Sequence, residues 1–320
     1  MSENKLNHSN QPKFRTLLTN LEISTDSKVP VVIDSDAFNE VDDQFAIAWA
    51  LLNPERLDVQ AIYAAPYTNS FFSQAEQSNR CVSDPQEGML LSFDEINKVI
   101  GKLKLDNRPP VFKGSTKYFS EEQQQSEAVT DLISRALNCD GVLQVVCISA
   151  PTNIVNAIAL EPKIKDKIHV LWLGGHSFDW PNTEEFNLMQ DYKASRFLLD
   201  CGVSLTLFPC MGTTSSLATS IPEIQYYLNN TSEIGTYLAQ LAPTFPWISF
   251  ASRKVIWDIA NIGFLINPSW FRSNIVSSPI LNENLTWSFD STRHQIRVIK
   301  YIERDCLFKD LFRKLIDADN

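Results

Sequence analysis

The chain has 320 residues, of which 44% are apolar, 21% charged and 11% aromatic, a composition that excludes disorder over most of its length and supports a sizeable core. A formal charge of −10 disfavours nucleic acid as a partner, because the long-range field repels phosphate backbones and no local basic patch offsets it. There are only 10 glycines, about 3% against a usual ~7%, and neither G-x-G-x-x-G nor G-x-x-x-x-G-K-[ST] occurs, so both standard phosphate-cradling loops are excluded.

Residues 1–28 read as a polar leader without the apolar stretch of a signal peptide. No apolar run approaches the ~18 residues needed to span a bilayer. The expectation is a cytoplasmic protein with no membrane partner. Six cysteines (Cys81, Cys139, Cys147, Cys201, Cys210 and Cys306) are scattered without a C-x-x-C pair and read as reduced structural thiols.

VPVVIDSD (29–36) is a β-branched apolar run that ends in acids, and DDQFAIAWALL (42–52) has the length and composition of a helix. LDVQAIYAA follows as a strand. After a polar stretch from Asn69 to Met89, Ser92 with Glu95 three residues on predicts a capped helix start. PPVFKG reads as a short strand, and Ser120 with Gln123 predicts the cap of a helix running to about Leu137. GVLQVVCISA is a fully apolar strand and TNIVNAIAL a helix; KIHVLWLGG and VSLTLFPC are further buried strands, separated by a loop and the helix DYKASRFLLD. ILNENLTWSFD and HQIRVIKYI alternate with period two and read as antiparallel strands, before an amphipathic helix near 305–317. Strands alternating with helices, each strand a continuous apolar run, predict an α/β fold. Its sheet is open and mostly parallel in the Rossmann-like manner, with helices on both faces and antiparallel strands near the C-terminus. Nothing resembles a linker, so residues 29–320 read as a single domain.

Open parallel sheets bind ligands at the carboxyl ends of their strands, so the residues just after each strand should converge. The first strand delivers Asp34, Asp36, Glu40, Asp42 and Asp43, five carboxylates within ten residues, with Asn39 among them. Acids favour a helix N-terminus, which accounts for Asp42 or Asp43 but not for acids closing a buried strand. Two readings follow: a hard divalent cation, Ca²⁺ or Mg²⁺ on oxygen ligands, or a solvated acidic turn. Other strand ends supply Thr68-Asn69, Thr152-Asn153, His176, Asp179 and Glu185-Phe186-Asn187. Singly, each is a cap or turn residue. Together they form a set rich in carboxylates and amides, suited to a ligand with several hydroxyls.

VPVVIDSDAFNEVDDQFAIAWALLNPERLDVQAIYAAPYTN resembles the N-terminal region of the inosine-uridine preferring nucleoside hydrolase family, with its DxDxxxDD cluster after the first strand and an Asn closing a later one. PVFKG, APTNIVNAIAL, LWLGG, EEFN and VIWDIA resemble further motifs of that family in the same order, across most of residues 29–270. The resemblance implies an N-ribohydrolase that releases a free base and ribose, with one Ca²⁺ per chain (Mg²⁺ less favoured). It implies that Asp36, Asp43, Asp258 and the backbone carbonyl of Thr152 hold the cation. Asp42, Asn69, Glu185 and Asn187 would hold the ribose hydroxyls. Asp36 would take a proton from a water held by the cation, which attacks the anomeric carbon. Membership implies a homodimer or homotetramer acting on a small-molecule ribonucleoside in purine or pyrimidine salvage.

Three departures stand out. Five residues, Ala37-Phe38-Asn39-Glu40-Val41, separate Asp36 from Asp42 where the family has three beginning Pro-Gly; Asn39 is a candidate substrate contact and Glu40 a candidate ligand, or both adjust the turn. Trp257 precedes Asp258 where many members carry a His able to protonate the leaving base, so Trp257 is either a base-stacking residue or a core aromatic. His176 is then the candidate acid, against a hydrogen-bonded turn histidine. Phe71, Phe72, Arg80 and Glu87 are candidates for the base pocket or for a surface lid. Competing functions are a nucleoside-binding or regulatory protein with little or no turnover, and a haloacid-dehalogenase-type phosphotransferase. The latter also places DxD after a strand, but it wants Thr or Val where Phe38 stands.

Overall fold

The computed structural model describes residues 21–23, 27–70, 81–120, 122–245 and 248–320. Strands β1 (Val29–Ser35), β2 (Leu57–Ala64), β3 (Val111–Lys113), β4 (Leu143–Ile148), β5 (Ile168–Leu173) and β6 (Ser204–Phe208) all fall where the apolar runs placed them. They lie parallel in the order β3-β2-β1-β4-β5-β6. Two short strands, β7 (Ala218–Thr219) and β8 (Lys254–Val255), pair apart from this sheet. The sheet continues through β12 (Gln295–Ile302), parallel to β6, to β9 (Phe271–Ser277), antiparallel to β12. The remaining strands, β10 (Ile280–Leu281) and β11 (Trp287–Ser288), form a small hairpin.

Both faces are covered. Along β1, Val31 and Ile33 enter one apolar cluster and Val32 the other, the period-two alternation of a strand buried on both sides. The first cluster is closed by helices that include α1 (Asp42–Leu51), α2 (Pro85–Gly101) and, later in the chain, residues 259–266 and 304–316; the second by α3 (Glu127–Asn138), α4 (Thr152–Leu160) and residues 192–200. Every residue of α1 is buried, as an apolar helix covered all round must be. Leu21, within the polar leader, is also buried, and its carbonyl accepts from Arg297.

Three local expectations are corrected. α2 opens seven residues before Ser92: Pro85 sits at its first position with Asp84 as the cap, accepting from Gln86 N at 2.7 Å. Ser92 is interior and donates to Gly88 O at 2.9 Å. α3 is capped by Ser126, not Ser120, because the Gln124 side chain accepts from Thr116 N and Lys117 N and holds that stretch as a loop. ILNENLTWSFD is not one strand but the β10–β11 hairpin, closed by hydrogen bonds from Asn282 to Thr286 and Ser288. The antiparallel partner of HQIRVIKYI is β9 instead.

His169 lies inside β5, between Gln144 Oε1 and Thr206 Oγ1 at 2.8 Å each. Burial, with a smaller push from Arg297, takes its pKa from 6.5 down to about 3. Below its ordinary pKa the unfolded imidazole binds a proton that the native one refuses, so stability falls by about 1.4 kcal/mol per pH unit until the native pKa is reached. His169→Gln, which keeps a donor and an acceptor, should flatten the fall in urea midpoint between pH 6.5 and 4.5. Parallel curves for the two proteins would show that His169 does not govern it.

Candidate active site

Hydrogen-bond partners sort the first acids. Asp34 is turned into the sheet, where it accepts from Ser149 Oγ at 2.6 Å and Asn153 Nδ2 at 2.9 Å. Burial raises its pKa to about 7 against these two bonds, and it takes no part in the pocket. Ser35 donates to Asp43 Oδ1 at 2.6 Å, linking the strand end to the first turn of α1. Between them the chain turns at Asp36, whose carbonyl accepts from Asn39 N at 2.9 Å.

Strand order reverses between β1 and β4, and a cavity of 190 Å³ opens at the carboxyl ends of the strands there. Asp36, Asn39 and Glu40 line it from the loop, Asp42 and Asp43 from α1, and Ile148 and Leu173 from the ends of β4 and β5. His176, Glu185 and Asn187 form the wall beyond β5, and Trp257 and Asp258 arrive from the segment after β8. Ten residues singled out by sequence thus meet at one place. Asn69 stands behind the wall: it donates to Asn39 Oδ1 at 3.3 Å and accepts from Val82 N at 2.8 Å. Thr152 is not among the lining residues; it starts α4 and its hydroxyl donates to Asp191 Oδ2 at 2.8 Å. Glu87 is exposed on the first turn of α2, away from the cavity, and Phe71, Phe72 and Arg80 lie outside the described residues.

Asp42, Asp43 and Asp258 each offer a carboxylate oxygen, and these oxygens lie within 4.8 Å of one another. The grouping differs from the expected one, which joined Asp36 rather than Asp42 to this set. Burial comes first in raising all four carboxyls, and repulsion from neighbouring acids adds to it, from Glu40 in the case of Asp42. Asp36 is pushed well up by Asp43 and Asp42, Asp43 by Asp42, and Asp258 by Asp42, Asp43 and Asp36. Asp42 reaches only about 6, because Lys254 pulls it back down. Asp36 Oδ2 is buried and accepts no hydrogen bond. An orphaned buried oxygen beside three crowded carboxylates is what an oxygen-ligated divalent cation satisfies, and the donor set fits one.

The opposite wall is differently built. Glu185 caps residues 186–190 and accepts from Gly175 N at 2.8 Å, Asn187 N at 3.0 Å and Leu188 N at 2.9 Å, so backbone donors already occupy both its oxygens. Gly175 makes this possible: its φ of +65° suits glycine, and a Cβ there would stand 2.6 Å from Thr183 Oγ1. Asn187 donates to Leu173 O at 3.1 Å. Burial lowers the pKa of His176, partly offset by the carbonyls of Gly175 and Glu184, and its Nδ1 faces Met211 N at 3.4 Å. Trp257 both lines the cavity and packs on the core, while its backbone N donates to Asp42 Oδ2 at 3.2 Å. Sequence reasoning missed Cys210 and Met211, although they follow β6 and the strand-end rule covers them. It also missed Lys254, buried and paired with Glu40 and Asp42; the signal was a basic pair, Arg253-Lys254, just ahead of Asp258.

The chain resembles several known proteins. Pyrimidine-specific ribonucleoside hydrolase RihB of Shigella flexneri is 26% identical over 184 residues, 55% of this chain and 56% of that protein, so the match spans little more than half of the curated relative. Among solved structures, a purine-preferring ribonucleoside hydrolase from Gardnerella vaginalis superposes with a TM-score of 0.71 at 17% identity, covering 90% of this chain and 98% of that one. An inosine-uridine preferring nucleoside hydrolase from Bacillus anthracis does so with a TM-score of 0.68 at 13% identity, covering 90% and 99%. At these identities the structures establish the fold. The family model described as inosine-uridine preferring nucleoside hydrolase matches residues 31–305, nearly the whole described domain, and the chain belongs to that family.

Proposed function

We propose that the protein is a Ca²⁺-dependent nucleoside N-ribohydrolase that releases a free base and ribose. The observation that carries this reading is the convergence of Asp36, Asp42, Asp43 and Asp258 on one small cavity at the switch point of the sheet, with Asp36 Oδ2 unpaired. Asp36, Asp43 and Asp258 would hold the ion, with Asp42 at its edge. Bound there, the ion supplies positive charge that offsets the carboxylates and lowers the pKa of water. Ca²⁺ suits the irregular carboxylate set better than Mg²⁺, which demands a tighter octahedron.

In the reaction, Asp36 accepts the proton of the attacking water. Asp42, Asn39 and Asn187 engage the ribose hydroxyls, Asn69 holding Asn39 in place from behind. Ionised acids on this wall stabilise the positive charge that develops on the sugar as the N-glycosidic bond breaks. Trp257 offers its ring to the base. His176 stands across the cavity as the donor to the leaving base nitrogen; with its pKa lowered it is neutral near pH 7, and it donates as a neutral imidazole.

A panel of ribonucleosides, including modified bases, tests the proposal. Free base should appear from at least one, disappear with chelator and return with Ca²⁺. Calorimetric binding without base release would identify a nucleoside-binding protein instead. Neither binding nor release across the panel would defeat the assignment.

A further inference from the structure

Lys254 places a positive charge against Glu40 and Asp42, two of the acids that line the pocket read as a cation site. The residue is 4% exposed. Its ammonium is ion-paired with Glu40 and lies 3.5 Å from Asp42 Oδ1. It belongs to β8, which the antiparallel pairing Thr219↔Lys254 fixes against β7. Three residues further on, Trp257 N donates to Asp42 Oδ2 at 3.2 Å. One short segment therefore donates a hydrogen bond to Oδ2 of Asp42 and sets an ammonium 3.5 Å from its Oδ1, a buried oxygen that accepts no hydrogen bond, and that segment also delivers Asp258 to the carboxylate cluster.

The arrangement matters because Asp42 has a choice. Its carboxylate lies close enough to Asp43 and Asp258 to share an ion with them. Ca²⁺ takes six to eight oxygens, so a free Asp42, and a free Glu40 beside it, would both be drawn onto the metal. Asp42 would then be lost to the substrate. A buried ammonium offers these two carboxylates an alternative partner of the same charge sign as the ion, and it repels the ion from that side of the pocket. Glu40 lies in the loop that is two residues longer than the family pattern, and it is from there that it pairs with Lys254.

We propose that Lys254 is a positioning residue that holds Asp42 and Glu40 away from the cation, confining the ion to Asp36, Asp43 and Asp258 and keeping Asp42 available to a substrate hydroxyl. This rests on the metal-dependent hydrolase reading and assigns a division of labour within that same site.

Three variants of the full chain test it: Lys254→Met, Lys254→Arg and Glu40→Gln. Each is stripped with chelator, titrated calorimetrically with Ca²⁺, and assayed for the KM and kcat of base release. Removing a charge that repels the ion should tighten Ca²⁺ binding in Lys254→Met by about five-fold or more, since a unit charge acts strongly at such range in a partly buried site. The same variant should raise KM by roughly ten-fold, because Asp42 turns to the metal. Glu40→Gln leaves the ammonium without its main partner, beside Asp42, and should weaken Ca²⁺ binding. Lys254→Arg keeps the charge and should bind Ca²⁺ within about two-fold of wild type.

Opposite shifts in the two variants are the signature: a merely structural ion pair, broken from either side, would weaken metal binding in both. Unchanged or weaker Ca²⁺ binding in Lys254→Met, or an unchanged KM, overturns the proposal. A wild-type chain that binds Ca²⁺ but releases no base from any nucleoside defeats the hydrolase reading alone; the Ca²⁺ titrations then decide the role of Lys254.

Discussion

Asp43→Ala is expected to abolish divalent-cation binding, weakening it by about 100-fold or more, and with it base release. Asp43 is buried at the start of α1, anchored by Ser35 Oγ at 2.6 Å, and is one of three carboxylates whose oxygens lie within 4.8 Å of each other. Asp43 and Asp258 are both raised by burial and by repulsion from Asp42, only partly offset by Ser35 at Asp43 and by Lys254 at Asp258, and a cation would relieve the remainder. The sign on stability is informative. Without metal, losing one of several crowded acids relieves repulsion, so the variant should melt no lower than wild type in chelator. With metal, wild type gains about 2.7 kcal/mol at a ligand concentration 100 times Kd, and the variant gains nothing. Thermal melts with and without Ca²⁺ read both effects, and a variant that keeps its Ca²⁺ shift and its activity removes Asp43 from the metal set.

Asp36→Asn should leave most cation binding in place and cost two to four powers of ten in kcat, roughly the worth of a positioned general base. The amide matches the carboxylate in size and retains one acceptor oxygen, but cannot take a proton. Asp36 Oδ2 is a buried oxygen with no hydrogen-bond partner, outside the hydrogen bonds that tie down Asp34 and Asn39. Single-turnover base release measured at saturating Ca²⁺ separates this loss from a binding defect. A kcat within ten-fold of wild type would mean that another group accepts the proton. A variant that loses Ca²⁺ as fully as Asp43→Ala would show Asp36 to be mainly a ligand.

Most of the sheet was legible because its signals are local. A continuous run such as LQVVCI, bounded by polar residues, needs no distant information to read as a buried strand, and the acids that close β1 mark its carboxyl end. The helix starts were read less well. Ser92 and Ser120 both satisfy the capping pattern, yet Asp84 with Pro85 and Ser126 make the actual caps, because several short polar residues compete for the same role and packing selects among them.

By itself the sequence determined the order of strands and helices, the placing of acids after the first strand, and the family, since periodicity and motif order are properties of contiguous residues. Tertiary structure alone decided which acids face the cavity. Asp34 and Asp36 are two residues apart, but Ser149 and Asn153 claim Asp34 for the sheet while Asp36 passes the strand end and opens to the pocket. It decided that Glu185 is occupied by three backbone donors, and that the antiparallel partner of β12 is β9. It also set Lys254 against Glu40, 214 positions away in the chain. Glu185 apart, whose donors lie within ten residues of it, the physical reason is common: a partner is fixed by the folding of remote segments onto one another, and no local pattern in either segment records it.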